Sequence, residues 1–379
     1  MLFGSAHGPD VRVRRISQAL ASAGYSVRIL AWDRAELLPK LDRDGNVEVR
    51  RVHVASYHGR GWSQVFFLSR AVLRYLPHIL RRPPDILHAI DLPMLLAAIV
   101  IAPFTGRRPR IVYDAFEIYA ILESHKYPRW VLRLIEAAEW VLPRFADLVI
   151  TPGEGRRDYF DRRGIPSVVV PNWADAPSRE IGTAEARTAL NLPPDAVTVV
   201  YAGGLDRSRD LASLVGHARR HPEHTVVVAG RGELEASLRR QAERIPNLHV
   251  LGWLPNPVTA LAAADVLYYS LRADHPYAAH AAPNNLYVAV AHAIPLVHRA
   301  QGEIGLLAEQ HDIGAPFHDD ASLDAAIERM ADPATNARVR AQLRGLQDRF
   351  LWSSARERLV EAYPRPPRTA MRSESVNGE

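Results

Sequence analysis

The chain has 379 residues, 47% apolar and 23% charged; at roughly 150 residues per domain this predicts two folded domains and excludes a disordered, collagenous or fibrous protein. The absence of cysteine excludes disulfides, thiolate metal sites, iron–sulfur clusters and a cysteine nucleophile. The 47 basic and 42 acidic residues leave +5, and every basic residue but Lys40 and Lys126 is arginine; with no basic block or stacking-aromatic motif, no nucleic-acid partner is predicted.

The opening MLFGSAHGPD has neither a charged n-region nor a long apolar stretch, so no secretory signal is predicted and a cytoplasmic location is expected. SVRILAW reads as a strand. The DRD triplet Asp42–Asp44 looks like a metal-holding DxD, but Asp44-Gly45-Asn46 lies between two strand-like runs and reads better as a hairpin turn. Residues 63–82, SQVFFLSRAVLRYLPHILRR, combine an apolar face with Arg70, Arg74, Arg81 and Arg82, which suits a helix lying on an anionic membrane. Pro77 favours a helix packed on its own sheet instead. The longest apolar run, Leu92 to Phe104, is broken by prolines and falls short of the ~18–20 residues a spanning helix needs.

DILHAI, RIVYDA, DLVITP and SVVVPN follow as strands separated by helices. After a proline-marked stretch from Trp173 to Pro194 the alternation restarts with VTVVYAGG, TVVVAGRG, LHVLGW, DVLYYS and IPLVHR. Such alternation predicts an α/β fold of two doubly wound parallel sheets. The expected boundaries are 1–174 for the first domain, 175–350 for the second, 351–363 for a last helix crossing back, and 364–379 for a disordered tail rich in Pro, Arg and Ser.

Ligands of open parallel sheets bind beyond the carboxyl ends of the strands. In the second half three turns there favour an anion. The first, YAGGLDRSR, carries Gly203, Gly204, Arg207 and Arg209, and a helix starts near Asp210, whose free amides and dipole would meet a diphosphate. The second carries Gly230, Arg231 and Gly232, whose glycines make room for a nucleotide base, with Leu254 nearby. The third, Asn284, Asn285 and Leu286 after Pro283, opens a helix running to His292. In the first half the corresponding positions are His7, Gly8, Asp10 and Arg12 after the first strand, His88 and Asp91 after DILHAI, Asp114, Phe116 and Glu117 after RIVYD, and Asn172. No carboxylate pair marks a metal site.

The order of these segments resembles the GT-B glycosyltransferases, specifically the large retaining family 4. GPDVRVRRISQALASAGYSVRIL resembles its opening, GRGELEASL its donor domain, APNNLYVAVAHAIPLV its donor-loop helix and FLWSSARERLVEAY its last helix. The resemblance implies two Rossmann-like domains facing a cleft, and a sugar donor linked to GDP or UDP, with no other cofactor and no metal. A small-molecule acceptor is expected. Glu117 and Arg209 are the expected catalytic residues. The departures are specific: the family's usual histidine falls at Phe116, a common basic residue at Asn285, the ribose-binding glutamate at Val288, and the first of a basic pair at Gly204. An acceptor that gives up its proton readily, a thiol or thione of specialised (antibiotic) metabolism, would tolerate the loss at Phe116. A non-catalytic sugar-nucleotide binder and a membrane-peripheral transferase with a lipid-linked acceptor are the alternatives.

Overall fold

The computed structural model describes residues 1–5, 10–56, 63–122, 127–177, 179–254, 256–275, 278 and 284–365, without the side chains of 63–65, 122, 284, 285 and 303. The chain divides into two units, Met1–Pro171 with Arg356–Glu379, and Asn172–Ala355. The first break thus precedes the expected 174/175 boundary by three residues. The helix Trp352–Ala362 begins in the second unit, and its residues from Arg356 onward cluster with the first. Most of the tail expected to be disordered, residues 366–379, lies outside the described residues.

In the first unit the strands are β1 Leu2–Phe3, β2 Arg28–Asp33, β3 Leu41–Asp44, β4 Val47–His53, β5 Ile86–Ile90, β6 Arg110–Asp114, β7 Leu148–Thr151 and β8 Val168–Val169. Their order is β3-β4-β2-β1-β5-β6-β7-β8, parallel except for β3 against β4. That exception is the expected hairpin: Asp44 pairs with Val47 across a turn in which Gly45 has φ 60°, a conformation glycine adopts without a Cβ penalty. Asp42 and Asp44 of the DRD triplet pair with Arg51 and Arg14 at 3.0 and 3.1 Å.

The buried faces are apolar because strands covered by helices on both sides cannot expose a polar face to water. Leu30, Trp32, Leu87, Ala89 and Tyr113 from the strands pack with Tyr75 and Ile79 of helix Ser63–Arg81, and with Met94 and Leu95 of helix Leu92–Ile101.

In the second unit β9 Thr198–Ala202, β10 Thr225–Ala229, β11 Leu248–Gly252, β12 Val266–Tyr269, β13 Leu296–Arg299 and β14 Gly314–Phe317 form one parallel sheet, ordered β11-β10-β9-β12-β13-β14. This is the Rossmann order, and its direction reverses between β9 and β12, where such sheets bind ligands. Among the described residues no helix is long and apolar enough to cross a membrane.

Candidate functional site

At the carboxyl edge of the second sheet, β9 ends in Gly203-Gly204 and the chain turns through Asp206, which accepts from the Ser208 amide at 2.9 Å. Helix Leu211–Arg220 then starts with Asp210 as its N-cap, accepting from the Ser213 amide. Arg209 closes the turn. Its Nη1 donates to the Tyr269 hydroxyl at 2.7 Å, its Nε lies 3.5 Å from Asp206, and its side chain is 26% exposed. Tyr269 is the last residue of β12, so this hydrogen bond bridges the point where the strand order reverses.

A second arginine stands beside it. Arg299, the last residue of β13, holds Asp210 at 2.5 Å and donates to the His318 carbonyl at 2.5 Å. A small pocket here is lined by Tyr269, Ser270, Leu271, Arg299, Gln301 and Ile304. Arg207 is 82% exposed and paired with Glu233 at 3.3 Å. Both carboxylates nearest the edge, Asp206 and Asp210, therefore lie against arginines.

The glycines at 230 and 232 have a structural duty beside the one expected of them. A Cβ on Gly230 would lie 1.8 Å from the Gly203 carbonyl oxygen, and one on Gly232 would lie 2.4 Å from that of Leu205. The loops are bonded backbone to backbone, Gly203 N to Ala229 O at 3.0 Å and Leu205 N to Arg231 O at 3.0 Å. The close approach that demands glycine is therefore between two protein loops. Arg231 is exposed and lies over the Trp253 ring, 5.2 Å from its centroid; Leu254 follows that tryptophan.

Helix Asn284–His292 begins at the expected residue. Leu286 and Tyr287 are buried, so Leu286 contributes backbone rather than side chain at this edge; the side chains of Asn284 and Asn285 lie outside the described residues.

The first sheet's edge is built differently. His7 and Gly8 lie outside the described residues. Asp10 caps helix Val11–Ser22 through the Val13 amide at 2.9 Å. Arg12, expected as an acceptor-side cation, is buried instead: it grips Asp114 at 2.7–3.2 Å and donates to the Val170 carbonyl at 2.8 Å. His88 Nε2 lies 3.8 Å from Asp114, and its Nδ1 is 3.1 Å from the Tyr363 hydroxyl. Burial opposes ionisation of Asp114, yet Arg12 and His88 outweigh it and bring the carboxyl pKa down to about 2. Burial also pulls His88 down.

Asp91, with φ 67°, accepts from the Glu117 amide at 3.3 Å. Desolvation, with Glu117 and Asp114 nearby, pushes its carboxyl well up. Glu117 itself is held by Arg156 at 2.8 Å. Phe116 lies under Arg12, 5.8 Å from guanidinium carbon to ring centroid. The edge thus brings together Arg12, His88 and Asp114, which are buried, with the half-buried Asp91, Phe116 and Glu117 beside them.

Sequence reasoning missed Tyr201, Tyr269, Arg299 and Tyr363. Tyr269 and Arg299 were within reach of the strand-end rule, standing next to last in DVLYYS and last in IPLVHR. Tyr201, whose hydroxyl donates to Gly204 O at 2.6 Å, and Tyr363 gave no local signal.

Comparison with known proteins agrees with this architecture. Residues 7–173 match the model of the glycosyl transferase 4-like domain, and residues 196–332 that of glycosyl transferases group 1. A curated relative, the succinoglycan biosynthesis protein ExoL of Rhizobium meliloti, is 29% identical over 235 residues. That alignment takes in 59% of this chain and 55% of ExoL, so the chain spans about half the length of that relative. The sucrose-phosphate synthase of Thermosynechococcus elongatus superposes with a TM-score of 0.72 at 17% identity over 95% of this chain and 93% of that one. HepE of Anabaena, solved with UDP and glucose, gives 0.68 at 17% identity over 95% and 97%.

Proposed function

The chain belongs to the glycosyl transferase 4-like and group 1 family of GT-B glycosyltransferases, and from that premise we propose that it is a retaining, metal-independent transferase that takes its sugar from a uridine diphosphate donor. The observation that carries the donor reading is the partly exposed Arg209 bridging β9 and β12 beside the N-terminus of helix Leu211–Arg220. A guanidinium next to a helix N-terminus suits a diphosphate. HepE, of the same fold, binds UDP and glucose. The carboxylates at this edge lie against Arg209 and Arg299, which favours arginine and helix dipole over a divalent ion as the neutralising charge.

In the proposed step the acceptor's O–H or S–H attacks the anomeric carbon from the face the diphosphate leaves. The new bond from carbon to the acceptor forms as the bond to the phosphate oxygen breaks, and that oxygen takes the acceptor's proton. The products are the glycoside and the nucleoside diphosphate. No side-chain base is needed, which fits a phenylalanine at position 116 and favours an acidic small-molecule acceptor such as a thiol or thione. General bases typically contribute ~10²–10⁴ in rate, so hydroxyl acceptors should be the slower ones in wild type. Product formation is measured by mass spectrometry with matched sulfur and hydroxyl acceptors, with EDTA throughout. Transfer that persists in EDTA, with Phe116→His leaving sulfur transfer unimproved, supports the reading. Loss of activity in EDTA with rescue by Mg²⁺ overturns its metal-free part, and a wild type inert with every sulfur and hydroxyl acceptor, with hydroxyl transfer restored only in Phe116→His, overturns the acceptor assignment.

A second reading of the acceptor rests on a different observation. Leu96, Val100 and Phe104 form an exposed stripe on helix Leu92–Ile101 and the turn after it, and Trp130, Leu134, Trp140, Val141 and Phe145 form another on Arg129–Val141 and its following turn. The first helix packs on the turn Leu142–Phe145, so the stripes adjoin. Exposed Arg70, Arg133 and Arg144 lie on these and the neighbouring helix. Tryptophan with arginine on exposed helices suits an anionic lipid surface and a lipid-linked acceptor. Co-sedimentation with phosphatidylglycerol vesicles, abolished by Trp130→Glu with Leu134→Glu, supports this reading; equal recovery with and without vesicles removes it.

A further inference from the structure

Far from the strand edges, the second unit gathers a set of groups that glycosyl transfer does not use. Helix Leu211–Arg220 ends at His221, and the chain turns back through Glu223 and His224 against helix Asp320–Ala331, which supplies Asp324. The three imidazoles form a close triangle, with ring centroids 4.7–5.2 Å apart. His217 Nδ1 lies 2.7 Å from Asp324 Oδ1, and His221 Nε2 lies 3.4 Å from Asp324 Oδ2. One nitrogen from each of these rings and a carboxylate oxygen thus lie within 4.8 Å of one another.

We propose that His217, His221 and Asp324 form a binding site for a first-row divalent transition-metal ion, zinc being the expected occupant, that clamps the end of helix Leu211–Arg220 to helix Asp320–Ala331. Zinc bonds imidazole nitrogen and carboxylate oxygen at about 2.0–2.2 Å, so ligand atoms around a tetrahedral ion stand about 3.3 Å apart. The two nitrogen–oxygen spacings here, to the two oxygens of Asp324, are within an ångström of that, and one ligand atom from each residue lies within 4.8 Å of the others. Three protein ligands leave the fourth position to water.

The surrounding contacts are those a metal site requires. A histidine that ligates through one nitrogen needs a partner for the N–H on the other, which fixes its tautomer and ring orientation. His217 Nε2 is 3.1 Å from His224 Nδ1, and His221 Nδ1 is 2.9 Å from Glu223 Oε1. With those two N–H groups donated outward, both remaining lone pairs face Asp324. Asp324 is itself fixed by the Arg220 fork, Nε to Oδ2 at 2.7 Å and Nη2 to Oδ1 at 2.8 Å.

Arg220 also lies 3.1 Å from Asp320, and Glu223 stands on His221, so three carboxylates accompany a single arginine and the local balance favours a dication. Without the ion, a proton on each inward-facing ring nitrogen satisfies the same cluster. Metal binding displaces those protons to solvent.

Zinc and cobalt are the probes. Tag-free full-length protein stripped with EDTA is dialysed and titrated with Co²⁺, whose visible absorption reports imidazole coordination, and with Zn²⁺ by calorimetry and thermal unfolding. One equivalent bound with micromolar or tighter affinity, together with a rise in Tm on adding Zn²⁺, is expected for wild type. His221→Gln should remove that binding and the rise in Tm, and Glu223→Gln, which weakens the partner of His221 without touching the ligands, should weaken it roughly tenfold. His221 and Glu223 are at or near the surface, and their variants should melt with metal-free wild type. Binding weaker than about 100 µM, or binding that His221→Gln leaves unchanged, overturns the site.

Discussion

The carboxyl edges of the two sheets follow the same topological rule and are furnished in opposite ways. At the first edge the charges are buried and matched: Arg12 and Asp114 are each 2% exposed and bonded to one another, with His88 beside them and Glu117 held by Arg156. At the second, Arg207, Arg209 and Arg231 reach the surface to different extents, and the loops carrying them are locked by backbone bonds together with the Arg299–Asp210 ion pair. A buried, matched set has little capacity for a new charge, because admitting one breaks existing bonds in low dielectric. Partly exposed arginines on a rigid loop can accept an anion without such loss. The first edge is thus a prebuilt frame, and the second is the one to which the proposed function assigns the donor's charge.

The largest expected effect breaks the frame. Arg12→Met leaves Asp114 buried without its main partner and should cost about 3–5 kcal/mol, read as a fall in the urea midpoint. The same pair answers to acid. The Asp114 carboxyl titrates near 2 in the folded protein and at about 3.9 when unfolded. Its contribution of about 2.6 kcal/mol is therefore fully present above about pH 5 and lost as the pH falls through 4 towards 2. Arg12→Met should lose that component of the acid transition.

Next in size is Arg209→Ala, which removes the cation bridging β9 and β12. Nucleoside diphosphate binding should weaken by roughly 1.5–3 kcal/mol, with nucleoside binding little changed, both measured by calorimetry. Equal affinity for the diphosphate in mutant and wild type would place the phosphate elsewhere and collapse the contrast between the edges. The smallest effect belongs to Arg207→Ala, under about 1 kcal/mol, because its guanidinium is solvated and already paired with Glu233. A loss as large as that at Arg209 would make the exposed arginine the diphosphate ligand.

The sequence shows the strands and the helix starts at Leu211 and Asn284 because these follow from local pattern: apolar runs of four to seven residues, a capping aspartate, a proline-led turn. It does not show which side chains meet. Arg12 and Asp114 lie 102 positions apart, and nothing in either segment marks the other as its partner, so Arg12 reads as a surface cation. Gly230 and Gly232 read as space for a ligand because the obstacle, the backbone of residues 203–205, comes from a different loop. β14, GAPF, contains a proline and has no alternation, and it stands as a strand only because Leu296–Arg299 offers a partner in register. His217, His221 and His224 read as ordinary helix and turn residues until Asp324 arrives from a helix about a hundred residues later.

The hydroxyl that meets His88 comes from Tyr363, whose ring stacks on that imidazole and meets Tyr25 edge-on, with centroids 5.9 and 5.4 Å away. In a chain made from its amino terminus, the first sheet has all its strands once Val169 has left the ribosome, yet two aromatic faces of its core stay open while nearly two hundred further residues are added. The first unit to be synthesised is therefore the last to be finished, and until then its core lacks the cover of Tyr363. Early termination before Tyr363 should harm the N-terminal unit rather than the segment nearest the break, leaving His88 and Tyr25 open to solvent in a protein whose second sheet is intact.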